Sequence, residues 1–72
     1  MNTLEHALWT RERPARPGWY WIRSADIAPT VVRLVRSNRG LVAVWPGRLF
    51  LEPIREADYD AAEWHGPIDQ PP

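Results

Sequence analysis

The sequence predicts a small, mainly all-β protein, built as a twisted antiparallel meander of four or five short strands. Residues 30–45 carry the strongest signal, because two runs rich in valine flank the short turn 38–40, which is the pattern of a β-hairpin. Turn residues then recur every 8–12 positions, which is typical of all-β folds. A strongly twisted meander can also curl on itself, so a small SH3-like barrel is the alternative architecture.

The chain must build its core from aromatic side chains. Its 72 residues make one domain, which buries only roughly 60% of its unfolded surface. There is no cysteine, so disulfides and thiolate metal sites are excluded. Five Trp, two Tyr and one Phe supply large apolar area instead. Five indole rings exceed what so small a core can enclose, so one or two are expected at the surface.

The N-terminal residues 1–18 are expected to form an arm and connector. Asn2 and Glu5 have the spacing of a capping box, which favours a short helix over residues 2–9, and an extended segment at the sheet edge is the alternative. The connector 10–18 contains two prolines that exclude regular structure. This N-terminus lacks the pattern of a secretory signal, and no apolar run approaches the roughly 20 residues of a membrane helix. We therefore expect a cytoplasmic protein without membrane contact.

The first strand, residues 19–23, is apolar on both faces. Trp19 and Trp21 share one face, whereas Tyr20 and Ile22 share the other. Such a strand is either covered on both sides or uses one side as a contact surface.

The central hairpin has one face suited to the core. Val32 and Leu34 share that face, whereas Arg33 interrupts the opposite one. Gly40 is expected at positive φ in a hairpin loop of three to five residues.

The C-terminal part continues the pattern of short elements. Pro46 and Gly47 have the order of a type II turn, which leads to a strand at 49–51 that Pro53 ends or places at an edge. Sequential antiparallel pairing is the expected connection between strands. The remaining segments are a short helical turn or an irregular loop at 55–62, a last strand at 63–65 that closes a β core of 19–65, and a Pro-rich extended tail at 66–72.

Charge is balanced overall but unevenly distributed. Residues 27–51 contain four arginines and no acid, whereas residues 52–72 contain six acids and one arginine. Arginine beside exposed aromatics on a sheet is one way in which proteins hold single-stranded nucleic acid, so the hairpin 33–48 is a candidate for that function. The net charge of zero argues against it, because nucleic-acid binders usually carry a basic excess. Residues 52–72, here called the acidic C-terminal third, are also able to lie over the arginines of the hairpin.

The sequence offers little material for catalysis or for cofactors. Ser24 and Ser37 occur in turn contexts, and His6 and His65 are far apart with no third group of a triad. One histidine among flexible acids is a poor zinc site, and the four isolated glycines form no phosphate loop. We expect no enzyme activity, no metal, no cofactor and no small-molecule substrate.

An interaction module is the function that the residues favour. Exposed Trp beside Arg matches the composition of protein-binding hot spots. The partner is expected to be another protein or a second copy of the chain, with nucleic acid as the alternative. The candidate binding residues are Trp19, Trp21, Arg33, Trp45, Arg36 and Arg39.

Two segments also carry a resemblance. The run Pro17–Arg23, which reads PGWYWIR, and the run Trp64–Pro72, which reads WHGPIDQPP, resemble small bacterial and prophage-encoded proteins of unknown function. The resemblance covers both ends of the chain and little of its middle. It implies a phage or mobile-element context and transfers no catalytic or binding residue.

Overall fold

Five strands form a single antiparallel sheet, so the mainly β fold predicted from the sequence is confirmed. The computed structural model describes residues 8–48 and 51–69. The elements are β1 (Gly18–Arg23), β2 (Thr30–Ser37), β3 (Gly40–Val44), β4 (Leu51–Pro53), a 3₁₀ turn (Ala57–Tyr59) and β5 (Glu63–Ile68). The short helix expected over residues 2–9 falls mostly outside the described residues, and the described Leu8 and Trp9 are not helical.

The strand order is β4-β3-β2-β1-β5, and every described pairing is antiparallel. The first four strands pair sequentially, as the meander requires. The fifth strand departs from this order, because it returns past β4 to pair with β1. The two edge strands, β4 and β5, are not hydrogen-bonded neighbours in this order, so the described part of the sheet stays open.

The core lies on the face of the sheet that was predicted from the hairpin. Val32 and Leu34 are 0% and 1% exposed and belong to the core cluster. The segment 54–62, which joins β4 to β5, crosses this face and contributes Ile54, Tyr59 and Ala62. It contains the 3₁₀ turn, so a short helical turn in this region is confirmed. The segment carries the chain from one sheet edge to the other and covers the core on the way.

Both predicted turns contain glycine in the left-handed region. Gly40 has φ of +87°, as predicted, but it begins β3 and pairs with Ser37, so the loop consists of Asn38 and Arg39 alone and the predicted length of three to five residues was wrong. Gly47 has φ of +72°, and the Arg48 N–H donates to the Trp45 carbonyl across that turn at 3.3 Å. A non-glycine side chain is strained in this region, which explains the choice of residue.

Strand β5 extends three residues further than the sequence predicted, because it includes Gly66, Pro67 and Ile68. Proline is compatible with this place because β5 is an edge strand. The pairing with β1 shifts register here. Gly66 has φ of +147°, and a Cβ atom on it would lie 2.9 Å from the ring of Tyr20 and 3.0 Å from the carbonyl oxygen of Trp19.

The N-terminal arm is bound to the sheet at two points. Thr10 exchanges both backbone hydrogen bonds with Trp64, at 3.0 and 2.7 Å, so this residue extends the edge of β5. Three residues later, the Arg13 guanidinium donates to the carbonyl of Ile54 at 2.7 Å and to the carboxylate of Asp60 at 2.6 Å. Thr10 belongs to the predicted connector 10–18, and the extended alternative for residues 2–9 lies mostly outside the described residues.

Candidate functional site

The face of the sheet turned away from the core, here called the outer face, is also largely apolar. Directly paired residues of antiparallel strands point to the same side of a sheet. The register of the four strand pairs therefore places one residue from each strand in a single row that crosses the sheet, and Arg33 carries the one charge in it. From β5 to β4, this central row is Ile68, Trp19, Arg33, Val44 and Leu51.

A second row lies beside the central row on the outer face. Trp21 is paired with Val31 on one side and with His65 on the other. Both Trp19 and Trp21 are partly buried, so neither ring belongs to the core cluster. Alternation along β1 predicted two apolar faces without saying which one joins the core, and the structure places Tyr20 and Ile22 in the core cluster.

The third row closes one end of the outer face. It joins Val35, Val42 and Pro53, of which the last two are buried. On the other side of the Trp21 row lies a fourth row, in which Arg23 is paired with Glu63 and forms an ion pair at 2.9 Å. The part of the outer face between the third and fourth rows, here called its open part, consists of the central row and the Trp21 row. Leu51 is the most exposed apolar side chain of the central row, at 47%.

A shallow depression of about 330 Å³ lies in the open part of the outer face. Trp19, Val31 and Val44 form its apolar walls together with Pro46. The Arg33 guanidinium carbon lies 5.8 Å from the centre of the Trp19 ring, within the range of a cation–π contact. This contact places a charge beside apolar walls.

Trp45 belongs to the core cluster, although it also contributes to the lining of this depression. Its residue is only 8% exposed, and its indole N–H donates to the hydroxyl of Tyr59 at 2.9 Å. Burial raises the pKa of the Tyr59 phenol above its ordinary value. Trp45 is buried because it lies two residues after the core residue Ala43, and alternation along the chain turns both side chains to the core side of the sheet.

The three hairpin arginines do not form one patch. Arg33 lies on the outer face, Arg36 is paired with Leu41 on the opposite side of the sheet, and Arg39 is in the turn. The acidic C-terminal third does not form a described ion pair with any of these three arginines. The ion pairs between described residues are Arg13–Asp60, Arg23–Glu63 and Arg48–Glu52.

Trp9 is a part of the outer face that sequence reasoning did not assign. Its ring lies 6.0 Å from that of His65, and the guanidinium carbon of Arg23 lies 4.1 Å from the centre of the indole. The Nδ1–H of His65 donates to the Leu8 carbonyl at 3.2 Å. The arm thus covers the end of the Trp21 row. No local pattern in the arm predicts this, because it depends on the pairing of Thr10 with β5.

The polar groups considered for catalysis have structural partners. The hydroxyl oxygens of Ser24 and Ser37 each accept a backbone N–H two residues further on, at 3.3 and 3.0 Å. His6 lies outside the described residues. Within residues 8–48 and 51–69, no three His, Asp or Glu side chains are grouped so that they would hold a metal ion. Nor does this part of the chain contain a helix with the length and hydropathy needed to cross a membrane.

Comparisons with family models, with characterised proteins and with solved structures find no match to this chain. Its function must therefore be argued from its own surface.

Proposed function

We propose that the chain is a non-enzymatic protein-interaction module that binds through the open part of its outer face. The observation that carries the proposal is the row of residues that crosses all five strands with a single charge, that of Arg33. Burial in the core would explain a row of apolar residues, but this row lies on the opposite side of the sheet and so needs another explanation, which binding provides. Partly buried Trp19 and Trp21 beside an exposed Arg have the composition of a binding hot spot.

Docking on the face is favoured over pairing with a sheet edge. The described part of β4 is only three residues long and ends in Pro53, which donates no hydrogen bond. The edge of β5 is partly occupied, because Thr10 already pairs with Trp64. Each edge thus offers few free main-chain groups to an added strand.

The partner should present an apolar surface with a carboxylate. No acidic residue lies in the central row or in the Trp21 row, so the positive charge of Arg33 has no counter-charge there. A partner carboxylate would make a bidentate contact with the guanidinium as both leave water. The partner is a second copy of the chain or a different protein, and a phage or mobile-element origin is the context that the resemblance implies.

The experiment compares substitutions on the two sides of β2. Arg33→Glu combined with Leu51→Glu alters two exposed positions of the central row, and Arg36→Glu is the matched control on the opposite side. Sedimentation over a range of protein concentrations measures self-association. Binding to other proteins is measured with partners that have been selected from a displayed protein library. We expect the double variant to lose at least tenfold in affinity and the control to change less than threefold.

Two results together would refute the proposal. The first is a strict monomer at millimolar concentration. The second is a set of selected binders that hold the double variant as tightly as the wild-type chain. Thermal melts of all variants establish that each one is folded before binding is compared.

Nucleic-acid binding by the hairpin 33–48 is the second candidate function. The contact of Arg33 with Trp19 supports it, as does the lack of a described ion pair between the acidic third and Arg36 or Arg39. The separation of the three arginines on different sides of the hairpin weakens it. If it is right, a single-stranded oligonucleotide binds at low salt and its affinity falls steeply as salt is raised. No binding in 20 mM salt would exclude it.

A further inference from the structure

A second surface, separate from the outer face, has the properties of a binding site for anions. It is a groove of about 280 Å³ between the arm, the β2–β3 turn and the start of the segment 54–62. We call it the arginine groove. Its lining residues are Arg13, Pro14, Ala15, Arg39, Gly40, Leu41, Ile54 and Arg55.

The rim of the arginine groove is positive. Arg13, Arg39 and Arg55 all line it, and none of its lining residues is acidic. The charge of Arg13 is compensated by Asp60, at 2.6 Å. Arg39 and Arg55 are exposed and have no ion pair with a described acid. The groove therefore presents two uncompensated guanidinium groups.

The floor of the arginine groove is apolar and held by hydrogen bonds. The N–H of Ile54 donates to the carbonyl of Leu41 at 3.1 Å, and the carbonyl of Ile54 accepts from the Arg13 side chain at 2.7 Å. The turn that carries Arg39 is also fixed, because its N–H donates to the hydroxyl of Ser37 at 3.0 Å. The backbone that carries the groove is thus held in place before a ligand arrives, which lowers the entropy cost of binding.

We propose that the arginine groove binds a short acidic peptide segment that combines one aliphatic side chain with carboxylates on either side of it. The aliphatic side chain would pack on Leu41 and Ile54, and the carboxylates would contact Arg39 and Arg55. The volume is at the low end of ligand pockets, which suits a contact with two or three residues. Nucleic acid fits less well, because bases bind by stacking on aromatic rings and the groove contains none.

The test uses a fluorescently labelled peptide with the sequence Glu-Glu-Leu-Glu-Glu and a ¹⁵N-labelled sample of the full chain. Titration in 50 mM salt should shift the amide resonances of Gly40, Leu41 and Arg55. The double variant Arg39→Glu with Arg55→Glu should weaken binding at least tenfold. Arg11→Glu is the matched control, because Arg11 is exposed in the same arm and does not line the groove. The control should change the affinity less than threefold.

Three outcomes would overturn the proposal. Absence of peptide binding at millimolar concentration is one. Equal weakening by the control and by the double variant is another, because it would show only a general attraction to positive charge. Tighter binding of a single-stranded oligonucleotide to the same amides is the third, because it would identify the groove as a nucleic-acid site. Since none of the groove residues lies in the open part of the outer face, failure here is distinguishable from failure of the proposed function.

Discussion

Replacement of Tyr59 by Phe should destabilise the fold more than the loss of a single hydroxyl suggests. The Tyr59 hydroxyl accepts the buried indole N–H of Trp45 at 2.9 Å. Without it, the indole N–H loses the one acceptor that the structure gives it, and a buried donor without a partner costs about 1–3 kcal/mol. A chain of 72 residues has a total stability of roughly 4–11 kcal/mol, so the substitution removes a large part of it. The midpoint of thermal unfolding should fall by roughly 4–8 °C for each kcal/mol.

Tyr20→Phe is the matched control for this substitution. The Tyr20 hydroxyl donates to the carbonyl of Arg16 at 2.9 Å, and Arg16 is exposed. That carbonyl regains a hydrogen bond from water when the hydroxyl is removed. The control should therefore cost no more than about 1 kcal/mol. Both substitutions keep a buried aromatic ring, so the comparison isolates the fate of the hydrogen-bond partner.

Urea unfolding followed by circular dichroism measures both free energies. A double-mutant cycle with Trp45→Phe then separates the hydrogen bond from the packing of the rings, because Tyr59→Phe should cost less once the donor is gone. Equal losses for Tyr59→Phe and Tyr20→Phe would refute the reasoning. A coupling energy below about 0.3 kcal/mol in the cycle would refute it as well, since that is the scatter expected of independent sites.

Three further predictions concern a close contact, a buried phenol and the arm. Gly66→Ala should lower the free energy of unfolding, measured in urea, by about 2–4 kcal/mol because the new Cβ has no room. Gly47→Ala, where the Cβ enters open space, should lower it by about 1 kcal/mol, and equal losses would contradict the prediction. Because burial raises the pKa of Tyr59 above 10.0, the contribution of its neutral phenol to the free energy of unfolding should be retained below about pH 10 and should be lost as the pH rises through the pKa of the folded state. An absorbance titration in which Tyr59 has the ordinary midpoint would contradict this prediction. Arg13→Ala should cost about 1–3 kcal/mol because it removes bonds to two backbone carbonyls, against at most about 1 kcal/mol for Glu63→Ala, which removes one partly exposed ion pair, a difference that thermal melts of both variants would reveal.

The sequence was sufficient for the elements whose patterns are local. Alternation along β2 identified the core side through Val32 and Leu34, and Gly40 was placed correctly at positive φ. The return of β5 to β1 was not predictable in this way, because no local pattern states which edge a last strand will join. The extent of β5 was also underestimated, since Pro67 was read as the start of a tail although an edge strand accepts it.

The candidate site depended on register as well as on composition. Trp19 and Arg33 were identified from residue type, and the structure places them in direct cross-strand pairing. Leu51 and Val44 were missed, because their position in the central row follows only when the pairing of β3 with β4 is known. Trp45 was included because it ends the arginine-rich hairpin, whereas its ring lies on the core side of the sheet and the residue is only 8% exposed.

The segments Pro17–Arg23 and Trp64–Pro72, which are far apart in the sequence, meet in space. Segment Pro17–Arg23 contains β1, and the start of segment Trp64–Pro72 forms most of its neighbour β5. A Cβ on Gly66 would lie 3.0 Å from the carbonyl oxygen of Trp19, so glycine is needed for the two backbones to come this close, whereas a Cβ on Gly18 would make an ordinary contact with Pro67 at 3.4 Å. The two segments therefore close the sheet between its first and last strands, and Gly66 is the residue that permits the contact. The same strand β1 also carries Trp19 and Trp21 of the proposed binding face, so a substitution that disturbs this strand pairing should impair both folding and binding.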